Sequence, residues 1–398
     1  MATGWGFVIL LGIASGLSAF GMASVVPALP MLSRALSAEY ASLQFVVSAY
    51  LLGLALFQPM QGLLSDRFGR RPVLIAGFGL FFLASLLASV AQNLPALVLA
   101  RFLQAMGVSV ATVVTRAIVR DSFEPGPAAT ALSFITAVMG VAPVLAPLIG
   151  GLASEAFGWR GIFGLHALLA AALVLLLILQ LKETRPANVT PMSVRQLIAG
   201  GKTLLGERLF MGHSLCYSFV SASGFVFITI GAALYERLYG MSSADFGLMW
   251  SGLAVSYILG ASTAGALARS RGPVKTQQLG MACNILATTL FVAAAFSTQP
   301  AFWLFSGSLA LLMFANGVIS PIALTGAVAD YPDLAGVASG LSSSLAMLIS
   351  MFSAVTTGFV YDGTARGCAL LMASACLASW LAMRLALKAR APMQEANT

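Results

Sequence analysis

The chain has 398 residues, of which 59% are hydrophobic and only 9% charged, with 21 Lys and Arg against 13 Asp and Glu for a net charge of +8. Its mean hydropathy is +0.93, and its apolar share lies far above the roughly 45–50% of soluble domains, so a soluble enzyme or binding domain is excluded. About 20 apolar residues cross a bilayer, so the hydrophobic share of this sequence suffices for roughly twelve crossings.

Apolar runs between charged or Pro/Gly breaks predict an all-α membrane protein with transmembrane helices near 5–32, 42–64, 72–92, 95–117, 128–153, 160–181, 210–235, 245–268, 275–296, 300–325, 335–360 and 365–387. Span one has no basic residue before it, runs too long for a signal-peptide core and ends in "VVPALP", so it is expected to stay in the protein. Sixteen of the 21 basic residues fall in one set of alternate loops and four, Arg34, Arg160, Arg237 and Arg366, in the other, with Arg101 left inside span four. Cytoplasmic loops retain Lys and Arg, which places both termini in the cytoplasm. The positive charge follows from that bias; basic residues scattered over many short loops do not form a nucleic-acid surface.

The longest polar stretch sets the expected organisation: an N-terminal six-helix half at 1–181, a cytoplasmic central loop at 182–209 and a C-terminal six-helix half at 210–398. A shift of 203 positions lays Gly62, Gly69 and Gly77 on Gly265, Gly272 and Gly280, and a shift of 209 lays Asp121, Leu132 and Ser133 on Asp330, Leu341 and Ser342. Duplicated halves are the arrangement of transporters that rock around a central site.

Between spans two and three the segment "GLLSDRFGRRPVL" gathers Asp66, Arg67, Arg70 and Arg71 around Gly69. A tight connection needs the backbone freedom of Gly69, and Asp66 can cap a helix or accept from an arginine. The arginines also suit a purely orienting role. Span five, "AVMGVAPVLAPLIGGLASEAFGW", carries Pro143 and Pro147 among Gly140, Gly150 and Gly151. Prolines bend a helix and glycines let a neighbouring backbone approach, whether for transport or for packing alone.

Arg101 is the one charge that lies away from the ends of the predicted spans. A charge at depth is a functional candidate unless it snorkels to the surface, and Gln104 shares its helix face. All 13 carboxylates fall in loops or at span ends. That argues against a strongly cationic substrate and against a proton route through a membrane carboxylate. His166 and His213 could titrate instead, or serve as hydrogen-bonded histidines. Cys216, Cys283, Cys368 and Cys376 lack metal or redox spacing, and no phosphate-binding loop is present. No cofactor or metal is expected, and no nucleophile with a base or carboxylate pair at depth suggests an enzyme.

The segment at Gly62, Asp66, Arg67, Gly69, Arg70 and Arg71 resembles the loop signature of the major facilitator superfamily. "RFLQAMGVSVA" at 101–111 is similar to the span-four motif of that family, and "APLIGG" at 146–151 to the span-five motif of its antiporters, with Ala105 and Ala146 where glycine is usual. "VVPALPML", "GWRGIF" and "LYGMSSADFGLMWSG" resemble the twelve-span drug:proton antiporters of the bicyclomycin/chloramphenicol-resistance branch. The resemblance implies two pseudo-symmetric halves and alternating access. It also implies a conformational latch in which Asp66, with its loop neighbours and Arg120, meets span eleven, an interface of span five with span eight, and a proton-transfer role for Arg101. In the family's geometry spans one, four, seven and ten line the cavity. The substrate-binding candidates are then Met22, Arg101, Gln104, Tyr217, Phe225, Phe227 and Asn316, with Tyr50 and Tyr257 from flanking spans; coupling falls to Arg101 or His166.

The expected function is export of a small neutral or weakly anionic amphiphile, a drug or metabolite, by proton antiport across a bacterial inner membrane, by a monomer. The alternative is a dedicated exporter or importer of one metabolite without carboxylate-based coupling.

Overall fold

The computed structural model describes residues 4–186, 193–297 and 299–395, and every regular element among them is a helix. In a bilayer each unpaired backbone group costs several kcal/mol, so apolar runs satisfy their own N–H and C=O groups helically. Span one is α1 (Trp5–Ala23) followed by α2 (Leu29–Leu36), span two α3 (Tyr40–Phe68), span three α4 (Arg70–Ser89), and span four α5 (Leu94–Val108) with α6 (Val110–Ser122). Spans five and six share α7 (Pro125–Gln180), and α8 (Val194–Gly206) follows. Spans seven to twelve are α9 (Arg208–Tyr239), α10 (Ser243–Arg271), α11 (Pro273–Ala295), α12 (Phe302–Ala329), α13 (Ala335–Val360) and α14 (Arg366–Glu395).

Eleven helical stretches among the described residues are long and apolar enough to cross a membrane. The one at 126–180 has 55 residues, more than twice what a crossing needs, and breaks at Gly158, where φ is 70° and ψ 174°. Counting its two arms separately gives twelve crossings.

Three local features depart from the expected spans. Span one is interrupted by a tight turn at Val26–Ala28, where Pro27 removes a backbone donor. Span four loosens at Ser109, whose hydroxyl donates back to the Met106 carbonyl at 2.7 Å. The stretch expected as a loop at 182–209 contains α8, which buries Gly200 and Leu204; of that stretch, 187–192 lie outside the described residues.

The chain divides into two compact units, unit 1 comprising 1–194 with 241–251, and unit 2 comprising 195–240 with 252–398. The helix α8 thus groups with unit 2 and the first turns of α10 with unit 1. In unit 1, α1 packs on α7, α3 on α5, and α4 on both α5 and α7. In unit 2, α9 packs on α12, α13 and α14, and α11 on α12.

Each unit turns between its second and third spans through one glycine. Gly69 has φ 99° and ψ 154°, and Gly272, 203 positions later, has φ 79° and ψ 158°. Only glycine adopts these angles without strain. A second parallel lies inside the units. A Cβ on Gly53 would sit 2.6 Å from the Ala105 methyl and 2.9 Å from the Phe102 carbonyl oxygen, and one on Gly260 would overlap the Phe314 carbonyl.

Candidate functional site

Unit 1 holds a buried polar network centred on Arg101, which is fully buried and does not snorkel. Asn93 starts α5 by accepting from the Ala96 N–H at 3.0 Å, which places Arg101 and Gln104 one turn apart on the helix. The Arg101 guanidinium donates from Nε to the Val46 carbonyl at 3.3 Å, and from Nη1 to the Gly21 carbonyl and Gln104 Oε1, both at 2.9 Å. Its Cζ lies 4.2 Å from the centre of the Tyr50 ring, a cation–π contact. The Tyr50 hydroxyl donates to the Ser18 carbonyl at 2.9 Å.

Because Gln104 Oε1 accepts from Arg101, its amide nitrogen faces the other way. It donates to Ser85 Oγ at 2.7 Å and lies 3.5 Å from His166 Nδ1. Nδ1 is then the acceptor, which leaves the proton on Nε2, 2.8 Å from Ser24 Oγ. Phe20, Phe81 and Phe163 surround the imidazole, each with its ring centre within 5.9 Å. All of these partners are neutral, and among the described residues no carboxylate stands within ion-pair distance of Arg101. Met22 follows Gly21 and is half-buried beside the network.

At the α3–α4 corner the predicted latch residues separate into two groups. Arg70 is buried and donates to Asp121 Oδ2 at 3.0 Å, to Ser65 Oγ at 2.6 Å and to Asp66 Oδ1. Glu183, beyond the end of α7, accepts the backbone N–H groups of Arg70 at 2.9 Å and Arg71 at 3.2 Å, and so caps the start of α4. Partial burial pushes the Glu183 pKa up, but hydrogen bonds from the N–H groups of Arg185, Arg70, Arg71 and Thr184 outweigh it and hold the carboxyl below its ordinary value. Arg71 also donates to the Ile178 carbonyl at 3.0 Å. Arg67 and Arg120 are exposed and outside this cluster, and Gly62 faces only Val113. The roles of Asp121 and Glu183 were not apparent in the sequence, where both read as ordinary loop acids; three helix ends that are distant in sequence bring them together.

In span five, Gly150 and Gly151 serve different neighbours. A Cβ on Gly150 would overlap the Ser24 carbonyl, at the break in span one, while one on Gly151 would come within 2.5 Å of the Ser243 carbonyl oxygen. Gly247 packs likewise on Pro147, and Ser251 donates to the Val144 carbonyl. Within unit 1, the span-five helix therefore lies against residues 243–251. Pro143 is half-buried, and Gly140 has open space beside it.

The remaining candidates lie in unit 2. Tyr217 and Phe225 on α9 are half-buried, and Tyr257 on α10 is exposed. Phe227 is fully buried among the rings of Tyr235 and Phe291. Asn316 accepts from Asn284 at 2.7 Å and donates to Ser223 Oγ at 3.2 Å.

Comparison with known proteins places this geometry. Residues 11–355 match the Major Facilitator Superfamily. The chain is 31% identical to multidrug resistance protein D of Escherichia coli (strain K12) over 326 residues, 80% of each protein. It is 34% identical to the uncharacterized MFS-type transporter YdgK of Bacillus subtilis (strain 168), a match covering 63% of this chain and 64% of that one. It is 27% identical to a bicyclomycin resistance protein homolog of Haemophilus influenzae over 85% of each. Among solved structures, a bacterial homolog of the human lysosomal transporter Spinster superposes with a TM-score of 0.80 at 17% identity, covering 96% of this chain and 97% of that one. The D-xylose-proton symporter superposes at 0.75 and 17% identity, covering 95% and 98%. Such identities show the fold alone, but the family match spans most of the chain and agrees with the helices and glycine corners described above. The chain belongs to the Major Facilitator Superfamily and is a multi-pass membrane transporter, not an enzyme.

Proposed function

We propose that this transporter exports a small neutral or weakly anionic amphiphile by proton antiport, alternating its access between the two sides of a bacterial inner membrane as a monomer with both termini in the cytoplasm. The observation that carries the substrate class is Arg101, a buried cation held by carbonyls, an amide and an aromatic face, with no carboxylate beside it. A strongly cationic cargo would meet an unopposed positive charge there.

The direction rests on the names of the relatives, two of which are resistance proteins, and on the close packing of span five at Gly150 and Gly151. The fold itself sets neither direction nor cargo. Arg101 is the coupling group in this reading through its charge and its hold on the substrate, while a peripheral acid takes up and releases the proton, because a guanidinium keeps its own; His166 is a neutral hydrogen-bonded partner. The charge cluster around Asp66 and Arg70 is the latch. Everted membrane vesicles test the reading: labelled amphiphiles should accumulate only with an imposed proton gradient, and cells lacking the protein should become more sensitive to at least one of them. Unchanged sensitivity across a broad panel, with growth dependent on an external nutrient, would favour uptake.

A further inference from the structure

The Arg101 guanidinium has five N–H bonds to donate. Three are used, one from Nε and two from Nη1. Nη2 is buried and has no acceptor. The Tyr50 ring covers a face of the group but accepts no conventional hydrogen bond in its plane. The bonds that exist go to two backbone carbonyls and one amide, all uncharged, so the positive charge itself is unanswered. The groups nearest the network, Tyr50, Gln104, Ser24, Ser85 and the Nε2-protonated His166, carry no negative charge.

We infer that the buried, unpartnered Nη2 of Arg101 receives the carboxylate of an organic monoanion, which makes the transported substrate a carboxylate rather than a neutral amphiphile. The inference rests on the transport reading above and narrows its substrate class. A water molecule or another amide could fill the missing hydrogen bond, but only an anion also balances the charge within a membrane-spanning segment. The geometry suggests the mode of binding. Nη1 is committed to two bonds of 2.9 Å, whereas the Nε bond to Val46 is the longest at 3.3 Å. A carboxylate therefore binds through Nη2 and, by displacing the Val46 carbonyl, engages Nε as well in the paired geometry that arginine favours. Gln104 holds the guanidinium in place through Nη1 without competing for the incoming charge.

The full-length protein, purified in detergent, provides the test. Its thermal unfolding is followed by tryptophan fluorescence with benzoate, octanoate and 2-naphthoate, each compared with its own primary amide and with chloride at equal ionic strength. At least one acid should raise the melting temperature more than both its amide and chloride do. That preference should disappear in Arg101→Gln. It should also disappear in Gln104→Glu, which supplies a carboxylate from within the chain while keeping the guanidinium, so the test does not rest on the first variant alone. Equal shifts by acids and amides, a shift by chloride as large as any acid's, or an acid preference that survives in either variant would overturn the inference. Binding at equilibrium needs neither a gradient nor a direction. Failure of export in vesicles would therefore leave a positive result standing, and failure of the acid preference would leave export standing.

Discussion

At the α3–α4 corner of unit 1 and the α10–α11 corner of unit 2 the chain turns through a glycine at nearly the same φ and ψ, yet Gly69 is followed by Arg70, tied to three oxygens, and Gly272 by Pro273. The same contrast recurs deeper in each unit. Tyr50 and Gly53 on span two correspond to Tyr257 and Gly260 on span eight, and Phe102 and Gln104 on span four to Phe314 and Asn316 on span ten. Both glycines admit a neighbouring span's backbone. But Met313 stands where Arg101 stands, and Asn316 bonds Asn284 and Ser223 instead of a guanidinium and a histidine. The duplicated scaffold is carried by small residues where helices approach, while the two buried arginines among the described residues, Arg70 and Arg101, both lie in unit 1.

The largest effect that sharpens this contrast is on transport. Arg101→Ala should reduce gradient-driven flux to background, and Arg101→Lys should restore it only in part, because a compact ammonium cannot reproduce the guanidinium fork. Met313→Leu, at the matching place in unit 2, should leave flux unchanged; equal losses at the two positions would break the distinction between the units.

Next come substitutions in the shared scaffold. Gly53→Ala and Gly260→Ala should each cost about 1–3 kcal/mol through overpacking, read as lowered melting temperature, whereas Gly140→Ala, with open space around it, should stay within about 0.5 kcal/mol. A cost at only one of the first two would show that the units are not built alike. A comparable effect separates the matched acids. Asp121→Asn weakens a charge-assisted bond to buried Arg70 and should cost about 1–3 kcal/mol, while exposed Asp330→Asn should change stability by less than about 0.5 kcal/mol.

The smallest effect is a pH dependence carried by Glu183 in unit 1. Glu183 is held below its ordinary value of 4.5 in the folded chain. A depressed carboxyl contributes stability that is present above the unfolded value and lost as pH falls through the folded one. Melting temperature should therefore drop on acidification below about pH 4.5, and Glu183→Gln should be less stable at neutral pH but show a shallower drop.

The sequence disclosed some of these features and concealed others for physical reasons. The twelve apolar runs were legible because a bilayer demands length and hydropathy together, and Gly69 because a tight corner has few other solutions. Arg101 and Gln104 stood out as polar groups in an apolar helix. Their partners did not, because Ser24 and Ser85 are common residues in spans and the Gly21 and Val46 acceptors are backbone carbonyls with no side-chain signature. The helix α8 was hidden inside a polar stretch, since 13 residues with one buried edge lack the hydropathy of a span. Glu183 and Asp121 lie 113 and 51 positions from Arg70, a separation that no local pattern spans.

The central claim, that Arg101 couples transport to protons without a membrane carboxylate, is tested most directly by substrate-driven proton movement in proteoliposomes, using an amphiphile that accumulates in wild-type vesicles. Adding it should dissipate an imposed pH gradient with wild-type protein and with His166→Ala, at the same proton-to-substrate ratio, and should leave the gradient untouched with Arg101→Ala. Full coupling in Arg101→Ala, or its loss in His166→Ala alone, would contradict the account.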